Sequence, residues 1–314
     1  MNTIKIIKNR SDIGAGTRGS DMGIDAIEIA AINQGNDFFH KHLFQDVVTH
    51  NETIYNKNNN NFAKRIEHVV EQCQRVSDAV KENLTAGFFP IILSGDHSSA
   101  LGTISGIKAA NSNKTLGVIW IDAHADMHSP YTSPSGNIHG MPLAAAMGLD
   151  NLDCKINDPG DITSAHWTNM KNLGIHGPKL TPDHLIYFGV RDFEEAEQFA
   201  IEKNNIRLVR VEELRYRGLD ICVKEAIGKL LNCDLIYISF DVDSMDCDNI
   251  SYGTGTPVPN GLLPNEVMQI ITTLLATKKV CCIEFTEINP LLDNKGNKMA
   301  ETAFQVLDHI EKHI

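Results

Sequence analysis

The sequence predicts an α/β fold, a single doubly wound domain around a mainly parallel sheet. Short apolar runs rich in β-branched residues recur along the 314-residue chain. Most are continuously apolar rather than alternating, as in strands covered on both faces. Longer stretches of helical pattern separate these runs. Strands that alternate with helices indicate βαβ units, whose crossovers are right-handed.

Seven short apolar runs are the predicted strands. In chain order they are Ile4–Ile7, Phe89–Leu93, Leu116–Ile121, Leu185–Phe188, Arg207–Arg210, Leu235–Phe240 and Val280–Phe285. Helices are predicted over residues 193–204, 212–231, 264–277 and 298–312, in the intervals that follow the later strands.

The helix between the first two predicted strands has the clearest pattern. Its apolar side chains follow three- and four-residue spacing, which is typical of a helix with one buried face. They are Phe62, Ile66, Val69, Val70, Cys73, Val76, Val80 and Leu84. Asn61 is the predicted N-cap and Gly87 the predicted stop. The asparagine-rich patch at residues 56–61 is predicted to be a surface loop before this helix.

Composition narrows the class of protein. The formal net charge of −12 argues against nucleic acid or an anionic membrane surface as the main partner. No apolar run is long enough for a membrane span or a secretory signal. The seven cysteines form no CxxC pair, and several lie in apolar runs, which favours reduced thiols in a cytoplasmic protein. Because there is no internal repeat or linker, residues 1–314 are predicted to form one domain.

Acids and histidines follow four of the predicted strands directly. They are, in chain order, His97; Asp122, His124 and Asp126; Asp241 and Asp243; and Glu287. In open parallel sheets, ligands bind at the carboxyl ends of the strands. This edge of the sheet is therefore the predicted functional site.

The spacing within the motifs DAHAD and DVD predicts metal binding. In an extended segment, residues two apart share a face, so the side chains of each motif are expected to point the same way. So many carboxylates in one buried pocket raise one another's pKa unless cations compensate them. Two divalent ions bridged by carboxylates meet that need. An oxygen-rich ligand set with two imidazoles and no thiolate favours Mn²⁺, or a similarly hard ion, over structural zinc.

Each motif taken alone has a simpler explanation. A lone DxD after a strand is more often a helix cap or a phosphate–Mg²⁺ site, and a lone histidine such as His97 is more often a satisfied hydrogen-bonding residue. Four such segments, each placed directly after a strand, make four independent explanations much less favourable than one shared metal site.

Taken together, the motifs resemble those of the arginase or ureohydrolase family over nearly the whole chain. They begin at DIGAGTRGSDMGIDAI, pass through SGDHS, DAHADMH, SGNIHG, YFGVRD and SFDVDSMD, and end at GTGTPVPNGL and EINPLLDNKGNKMAE. The SGNIHG loop is similar to that of arginases rather than of agmatinase-like or formimidoylglutamase-like relatives. The resemblance implies a three-layer αβα fold around a central, mostly parallel eight-stranded sheet. It also implies assembly as a homotrimer or homohexamer.

By motif position, the resemblance implies two Mn²⁺ ions per chain. One ion would be held by His97, Asp122, Asp126 and Asp241, and the other by Asp122, His124, Asp241 and Asp243. Asp122 and Asp241 would therefore bridge the ions, which would hold a hydroxide for attack on a guanidinium carbon. Glu287 would orient the guanidinium, Asp126 would pass the proton to the leaving amine, and His139 would connect the site to solvent.

The resemblance also implies which residues bind the rest of the substrate. Ser135 and Asn137 match positions that bind an α-carboxylate, although each is equally well explained as a turn residue of its loop. Thr256 matches a threonine near the guanidinium. The chain departs from the pattern at His128, where an asparagine normally contacts the carboxylate, and at Glu194, where an aspartate normally contacts the α-amino group. The segment after the DVD motif also has one extra residue.

The expected reaction is manganese-dependent hydrolysis of L-arginine to L-ornithine and urea. Hydrolysis of another guanidino or formimidoyl compound, such as agmatine, guanidinobutyrate or formimidoylglutamate, is the alternative within the superfamily. A carboxylate-binding loop argues against agmatine, which has no carboxylate. Two further alternatives are a single-zinc deacylase on a related fold and a non-enzymatic protein that binds metal or arginine. The complete ligand set and Glu287 argue against the last.

Overall fold

The central element of the protein is one sheet of parallel strands. The structure, a computed structural model, describes residues 3–56 and 60–314. Its strands are β1 (Ile4–Asn9), β2 (Leu43–Asp46), β3 (Phe89–Ser94), β4 (Leu116–Ile121), β5 (Leu185–Phe188), β6 (Arg207–Val209), β7 (Leu235–Asp241) and β8 (Val280–Thr286). They form a sheet in the order β2-β1-β3-β8-β7-β4-β5-β6, and every pairing between them is parallel. The predicted parallel sheet of eight strands is thereby confirmed.

Helices cover both faces of the sheet. They are α1 (Gly23–Asn33), α2 (Phe38–Lys41), α3 (Ile66–Thr85), α4 (Ala100–Ala110), α5 (Pro142–Met147), α6 (Asp161–Lys171), α7 (Glu195–Lys203), α8 (Val211–Arg217), α9 (Leu219–Lys229), α10 (Pro264–Leu275) and α11 (Lys298–Glu311). Side chains of α1, α2 and α8 to α11 form one hydrophobic core with the sheet. Those of α3 to α7 form the other. The fold therefore has three layers, as predicted.

Successive residues of the central strands enter opposite cores. On β3, Ile91 and Leu93 belong to one core and Ile92 to the other, because side chains alternate across a pleated strand. All six residues of β3, and all six of β4, are buried. This burial explains why these strands are continuously apolar in the sequence.

The prediction missed the edge strand β2. Its sequence, LFQD, is short, and the strand is exposed along most of its length, so it has no apolar run to reveal it. Helices α1, α2, α4, α5 and α6 were also not predicted. In α4, nine of eleven residues are buried, and a helix that is buried nearly all round lacks the amphipathic pattern used to recognise helices.

Two predicted helix boundaries were wrong. The predicted N-cap at Asn61 lies outside α3, because residues 61–65 form turns and the helix begins at Ile66. The predicted helix over residues 212–231 is two helices, separated at Gly218, whose φ of 94° and ψ of 135° no helix accommodates. The predicted stop at Gly87 is confirmed, with φ +82° directly after the C-cap of α3.

The asparagine-rich patch is only partly described. Residues 57–59 lie outside the described residues, whereas Asn56 and Asn61 are exposed. In the described parts of the chain, no helix combines the length and apolar character that crossing a bilayer requires. All seven cysteines are free thiols.

Candidate metal centre and active site

The site lies at the carboxyl edge of the four central strands. The segments with predicted ligands follow β3, β4, β7 and β8, which are adjacent in the sheet in the order β3-β8-β7-β4. They surround a pocket with a volume of about 300 Å³, at the lower end of the usual range for small-molecule sites. Every site residue predicted from sequence lines this pocket except Asp122, which is buried and only 1% exposed.

The first cluster of potential ligands surrounds the ring of His97. Its Nδ1 lies 3.0 Å from Asp122 Oδ2, 3.0 Å from Asp126 Oδ2 and 3.2 Å from Asp241 Oδ2. The other ring nitrogen, Nε2, is 2.7 Å from Ser239 Oγ. The ring also stacks on Trp120, with 4.1 Å between centroids. These contacts hold Nδ1 towards the three carboxylates, as partners beyond the ligands commonly do for a metal-binding histidine.

The donors of this cluster fit a divalent cation. Asp122 Oδ2 and His97 Nδ1 are buried, and neither has a hydrogen-bond partner in the described residues. Burial lowers the pKa of His97, but the three carboxylates outweigh burial and raise the pKa well above its ordinary value. The three carboxylates therefore favour a positive charge at His97 Nδ1. A cation there would compensate the carboxylates and use the unpaired atoms as ligands.

A second cluster shares Asp122 with the first. His124 Nδ1 lies 3.0 Å from Asp243 Oδ2 and 3.6 Å from Asp122 Oδ1. Thr256 Oγ1 donates a hydrogen bond to Asp243 Oδ2 at 3.0 Å. Asp122 therefore turns one carboxylate oxygen towards each cluster, as a bridging ligand would. The groups His97–Asp122–Asp126 and Asp122–His124–Asp243 each have ligand atoms close enough to hold one ion.

The side chains of DAHAD and DVD converge as predicted, but local turns that follow the strands bring them together, rather than the extended backbone that the prediction assumed. The backbone N–H of His124 donates to Asp122 Oδ1 at 2.7 Å, and that of Asp243 donates to Asp241 Oδ1 at 2.8 Å. Residues Val242–Ser244 form a 3-10 turn. Asp126 has a φ of 51°, in the left-handed region. A carboxylate that accepts from the N–H two residues later closes a tight turn, and such turns aim the motif's side chains into one space.

Glu287 and His139 form a hydrogen-bonded pair next to the first cluster. Glu287 Oε1 is 3.0 Å from His139 Nδ1 and also accepts a hydrogen bond from the backbone N–H of His97 at 2.9 Å. Burial lowers the pKa of His139, but the hydrogen bond to Glu287 outweighs it and raises the pKa to about 9. Burial conversely raises the pKa of Glu287, and the bond to His139 leaves it below its ordinary value. Both shifts favour a charged pair.

Glu287 also has a left-handed backbone, with a φ of 65°. Its N–H donates to Gly95 O at 2.9 Å, in the loop that precedes His97. Left-handed non-glycine residues are uncommon and persist where the surroundings determine them, often at functional sites. Asp126 and Glu287 are two such residues within this pocket.

His128 joins two glutamates at the outer end of the pocket. Its Nε2 lies 3.0 Å from Glu194 Oε2 and 3.6 Å from Glu197 Oε2, and its Nδ1 lies 3.1 Å from Thr132 Oγ1. The hydrogen bond from His128 lowers the pKa of Glu194 to about 2. Burial raises the pKa of Glu197 to about 8. The two residues that depart from the family pattern, His128 and Glu194, are therefore in direct contact.

Ser135 and Asn137 lie further along the segment that follows β4. Ser135 Oγ accepts a hydrogen bond from the backbone N–H of Asn137 at 3.2 Å, and Asn137 Oδ1 accepts one from Lys64 Nζ at 3.2 Å. The first contact is that of a turn residue. The structure thus brings all the predicted site residues except the buried Asp122 to the lining of one pocket.

Sequence reasoning missed three residues that shape the site. Ser239 orients His97, Glu197 lines the pocket, and Lys64 holds Asn137. Glu197 had a usable signal, because it lies three residues after Glu194 and forms a capping box with it at the start of α7. Ser239 lies inside a buried strand, and Lys64 is distant in sequence from the loop that it contacts, so neither had a local signal.

A parallel sheet with two linked histidine–carboxylate clusters at its carboxyl edge defines the class of α/β metal-dependent hydrolases. The model described as "Arginase family" matches residues 2–311. Arginase from Bacillus caldovelox is 32% identical over 310 residues, covering 98% of this chain and 97% of that protein. The chain belongs to the arginase family and is an amidinohydrolase.

Solved structures give the same result. The native structure of the Bacillus caldovelox arginase has a TM-score of 0.84 to this chain, at 32% identity, and covers 99% of this chain and 98% of its own. The structure of Entamoeba histolytica arginase in complex with L-ornithine has a TM-score of 0.83 at 26% identity, with 98% and 97% coverage. The likeness thus extends over essentially the full length of each relative.

Proposed function

We propose that the chain hydrolyses the guanidino group of L-arginine to L-ornithine and urea with two bound Mn²⁺ ions. The observation that carries this proposal is the pair of histidine–carboxylate clusters that share Asp122 at the base of a pocket lined by Glu287. The similarity of this chain to arginases over its full length supports the same substrate.

The residues proposed to hold the metals are those of the two clusters. One ion would take His97, Asp122, Asp126 and Asp241, and the other Asp122, His124, Asp241 and Asp243. Six carboxylate and imidazole side chains without a thiolate favour Mn²⁺. A pair of such ions supplies a water of lowered pKa near neutral pH.

Glu287 is proposed to bind the guanidinium. Its Oε1 is held by His139 and the N–H of His97, while Oε2 accepts no hydrogen bond among the described residues. A carboxylate fixed at one oxygen can present the other to a guanidinium N–H, and charge-assisted bonds of this kind are short and directional. Glu287 would thereby place the guanidinium carbon over the metal clusters.

Asp126 and His139 are proposed to move protons. Asp126 belongs to the first cluster and lines the pocket, so its carboxylate can accept a proton from the attacking water and give it to the leaving amine. His139 has 21% of its side chain exposed and contacts Glu287. It therefore reaches from the buried site to solvent, as a proton carrier must.

The outer end of the pocket is proposed to bind the amino-acid part of the substrate. Ser135 and Asn137 would bind the α-carboxylate, while the carboxylate of Glu194, in the same pocket, is suited to an α-ammonium group. His128 would contact the carboxylate, and Thr256 lies beside Asp243, near the expected guanidinium. A zwitterionic end group matches this division of charge.

A urea-release assay over a panel of guanidino compounds tests the proposal. The protein is activated with Mn²⁺ and given L-arginine, agmatine, guanidinobutyrate and, with formamide detection, formimidoylglutamate. Urea release at a substantial rate from L-arginine alone is expected. Activity confined to a substrate without the α-carboxylate would refute arginine as the substrate, and a stoichiometry near one zinc per chain with no urea would favour a deacylase. Metal binding without turnover of any compound would indicate a binding protein.

The second part of the proposal concerns the domain organisation, cellular compartment and oligomeric state of the enzyme. We infer that residues 1–314 act as one ureohydrolase domain in the cytoplasm, assembled as a homotrimer or homohexamer. Seven free thiols suit a reducing compartment. Light scattering coupled to size exclusion measures the assembly, and a monomeric mass for the active enzyme would contradict it.

A further inference from the structure

The turn before α3 packs against the loop that lines the outer end of the pocket. This segment, residues 61–65, is here named the clamp turn. The backbone N–H of Lys64 donates to Gly136 O at 2.7 Å, and Lys64 Nζ donates to Asn137 Oδ1 at 3.2 Å. Lys64 therefore holds two adjacent residues of this loop, one through its main chain and the other through its side chain.

The contact between the two segments is unusually close. Gly136 has a φ of +71°, and a Cβ added there would lie 2.0 Å from Asn61 O. Only glycine permits this approach of one backbone to another. On the other side, a Cβ added to Gly16 would lie 2.5 Å from Asn137 Nδ2. The carboxamide of Asn137 is thus enclosed between the clamp turn and the loop that contains Gly16.

Arg65 anchors the clamp turn to that same N-terminal loop. Its Nε donates to Ile13 O at 2.7 Å and its Nη2 to Ala15 O at 3.2 Å. The backbone of Arg65 is left-handed, with a φ of 56°, a conformation that is unfavourable for arginine and is held by such contacts. The loop is tied in turn to the proposed proton carrier, because His139 N donates to Gly14 O at 3.1 Å.

We propose that Lys64 is a positioning residue that makes the enzyme select guanidino substrates with a carboxylate at the far end. This inference rests on the proposed function, in which Asn137 binds that carboxylate. The ammonium of Lys64 can only donate hydrogen bonds, so it holds the oxygen of the Asn137 carboxamide towards itself. The Nδ2 donor, for which no described residue is an acceptor, is left for the substrate.

The charges around the outer end of the pocket explain why the orientation of the Asn137 carboxamide affects binding of a carboxylate. The same pocket carries the carboxylate of Glu194 and the buried carboxyl group of Glu197, with His128 in contact with both. If the Asn137 carboxamide were reversed, its oxygen would also face the substrate, and the outer end would repel an anionic group. Lys64 prevents this reversal and adds a positive charge behind Asn137. Its loss should therefore weaken binding of a carboxylate and leave the guanidinium end unaffected.

The test compares two ligands that differ only at the carboxylate. KM and kcat are measured for L-arginine, and the inhibition constant of L-argininamide is measured against it, for the wild type and the variants Lys64→Met and Lys64→Arg. Lys81→Met is the control, because Lys81 is an exposed lysine on α3, the helix that follows the clamp turn. We expect Lys64→Met to raise KM for L-arginine at least fivefold, with kcat and the L-argininamide constant changed less than twofold. Lys64→Arg should retain the wild-type values.

Different failures of this experiment have different meanings. Equal losses for both ligands, a fall in kcat without a change in KM, or unchanged kinetics of Lys64→Met in an active enzyme would each overturn the role of Lys64. Thermal melting of Lys64→Met, compared with that of Lys81→Met, shows whether Lys64→Met is folded. Lys64→Arg is the second variant, and a folded Lys64→Arg tests whether a cation at this position restores the wild-type kinetics. A wild type that releases no urea from L-arginine would instead refute the proposed function.

Discussion

The carboxylate of Glu287 lies 3.0 Å from the imidazole of His139, and the two side chains hold each other in their charged forms. The pair joins the end of β8 to the loop that follows β4, two segments 148 residues apart. Glu287 is 2% exposed, whereas His139 reaches the solvent side of the pocket. One buried anion is therefore fixed by a group that itself communicates with water.

Replacing Glu287 with glutamine should disable substrate binding more than it disturbs the fold. Glutamine keeps the shape of the side chain but has no charge, so its hydrogen bond to a guanidinium is weaker. We expect a loss on the order of 3 kcal/mol in transition-state binding, or about 100-fold in kcat/KM. Urea release with L-arginine measures this loss. In the same variant the pKa of His139 should fall towards its ordinary value, as NMR titration would show.

The control for this variant is Glu212→Gln, an exposed glutamate on α8, which should leave kcat/KM unchanged. Activity of Glu287→Gln within threefold of the wild type would contradict the assignment of Glu287 to the guanidinium.

The pair with His139 should make stability depend on pH in a particular direction. The folded-state pKa of His139 is about 9, above the ordinary value of about 6.5. The stabilisation is therefore complete below pH 6.5 and is lost as the pH rises through about 9. His139→Asn should destabilise the metal-free protein by roughly 1–3 kcal/mol at pH 6, and by much less at pH 9.5.

Urea denaturation in the presence of a chelator, at both pH values, measures the difference in the free energy of unfolding. A variant that is equally destabilised at pH 6 and pH 9.5 would show that the charge of His139 does not stabilise the fold.

Replacing Asp126 with alanine should abolish turnover and weaken the ion held with His97. Asp126 contributes one of the three carboxylate oxygens around His97 Nδ1, whereas the cluster around His124 does not include it. If the protein binds the two proposed ions, metal content after dialysis should thus fall from two per chain towards one. Normal urea release by Asp126→Ala would refute its role.

In the metal-free protein, the same substitution should not reduce stability and is expected to preserve or raise it. Burial raises the pKa of Asp126, and repulsion from the carboxylate of Asp122 raises it further in the absence of a cation. With a chelator present, Asp126→Ala should therefore melt at the same temperature as the wild type or higher. A lower melting temperature under those conditions would show that Asp126 stabilises the fold independently of metal.

Replacing His128 with asparagine should preserve or improve the affinity for L-arginine. His128 contacts Glu194 at 3.0 Å and so competes with a substrate ammonium group for that carboxylate. Asparagine removes the competing cation and still offers an N–H to the substrate. KM for L-arginine should stay equal or decrease, with kcat within about twofold. An increase in KM for L-arginine would contradict this expectation and would show that His128 itself favours substrate binding.

Much of the architecture could be predicted because its signals are local. The seven predicted strands all exist, and those inside the sheet were predictable because a buried parallel strand requires a continuous apolar run. The strand β2 was missed because an exposed edge needs no such run. The break at Gly218 was missed because the periodicity of α8 and α9 continues past a residue whose conformation the pattern does not show.

The sequence by itself determined which side chains follow the strands and that they are of the types that bind metals, because both are properties of residue identity and spacing. The tertiary structure decided the rest. The strand order places β3, β8, β7 and β4 side by side, and turns at Asp122 and Asp241 make the ligands converge. It also seats Lys64 behind Asn137, 73 residues away. Such contacts depend on how distant segments pack, for which a single sequence carries no local signal.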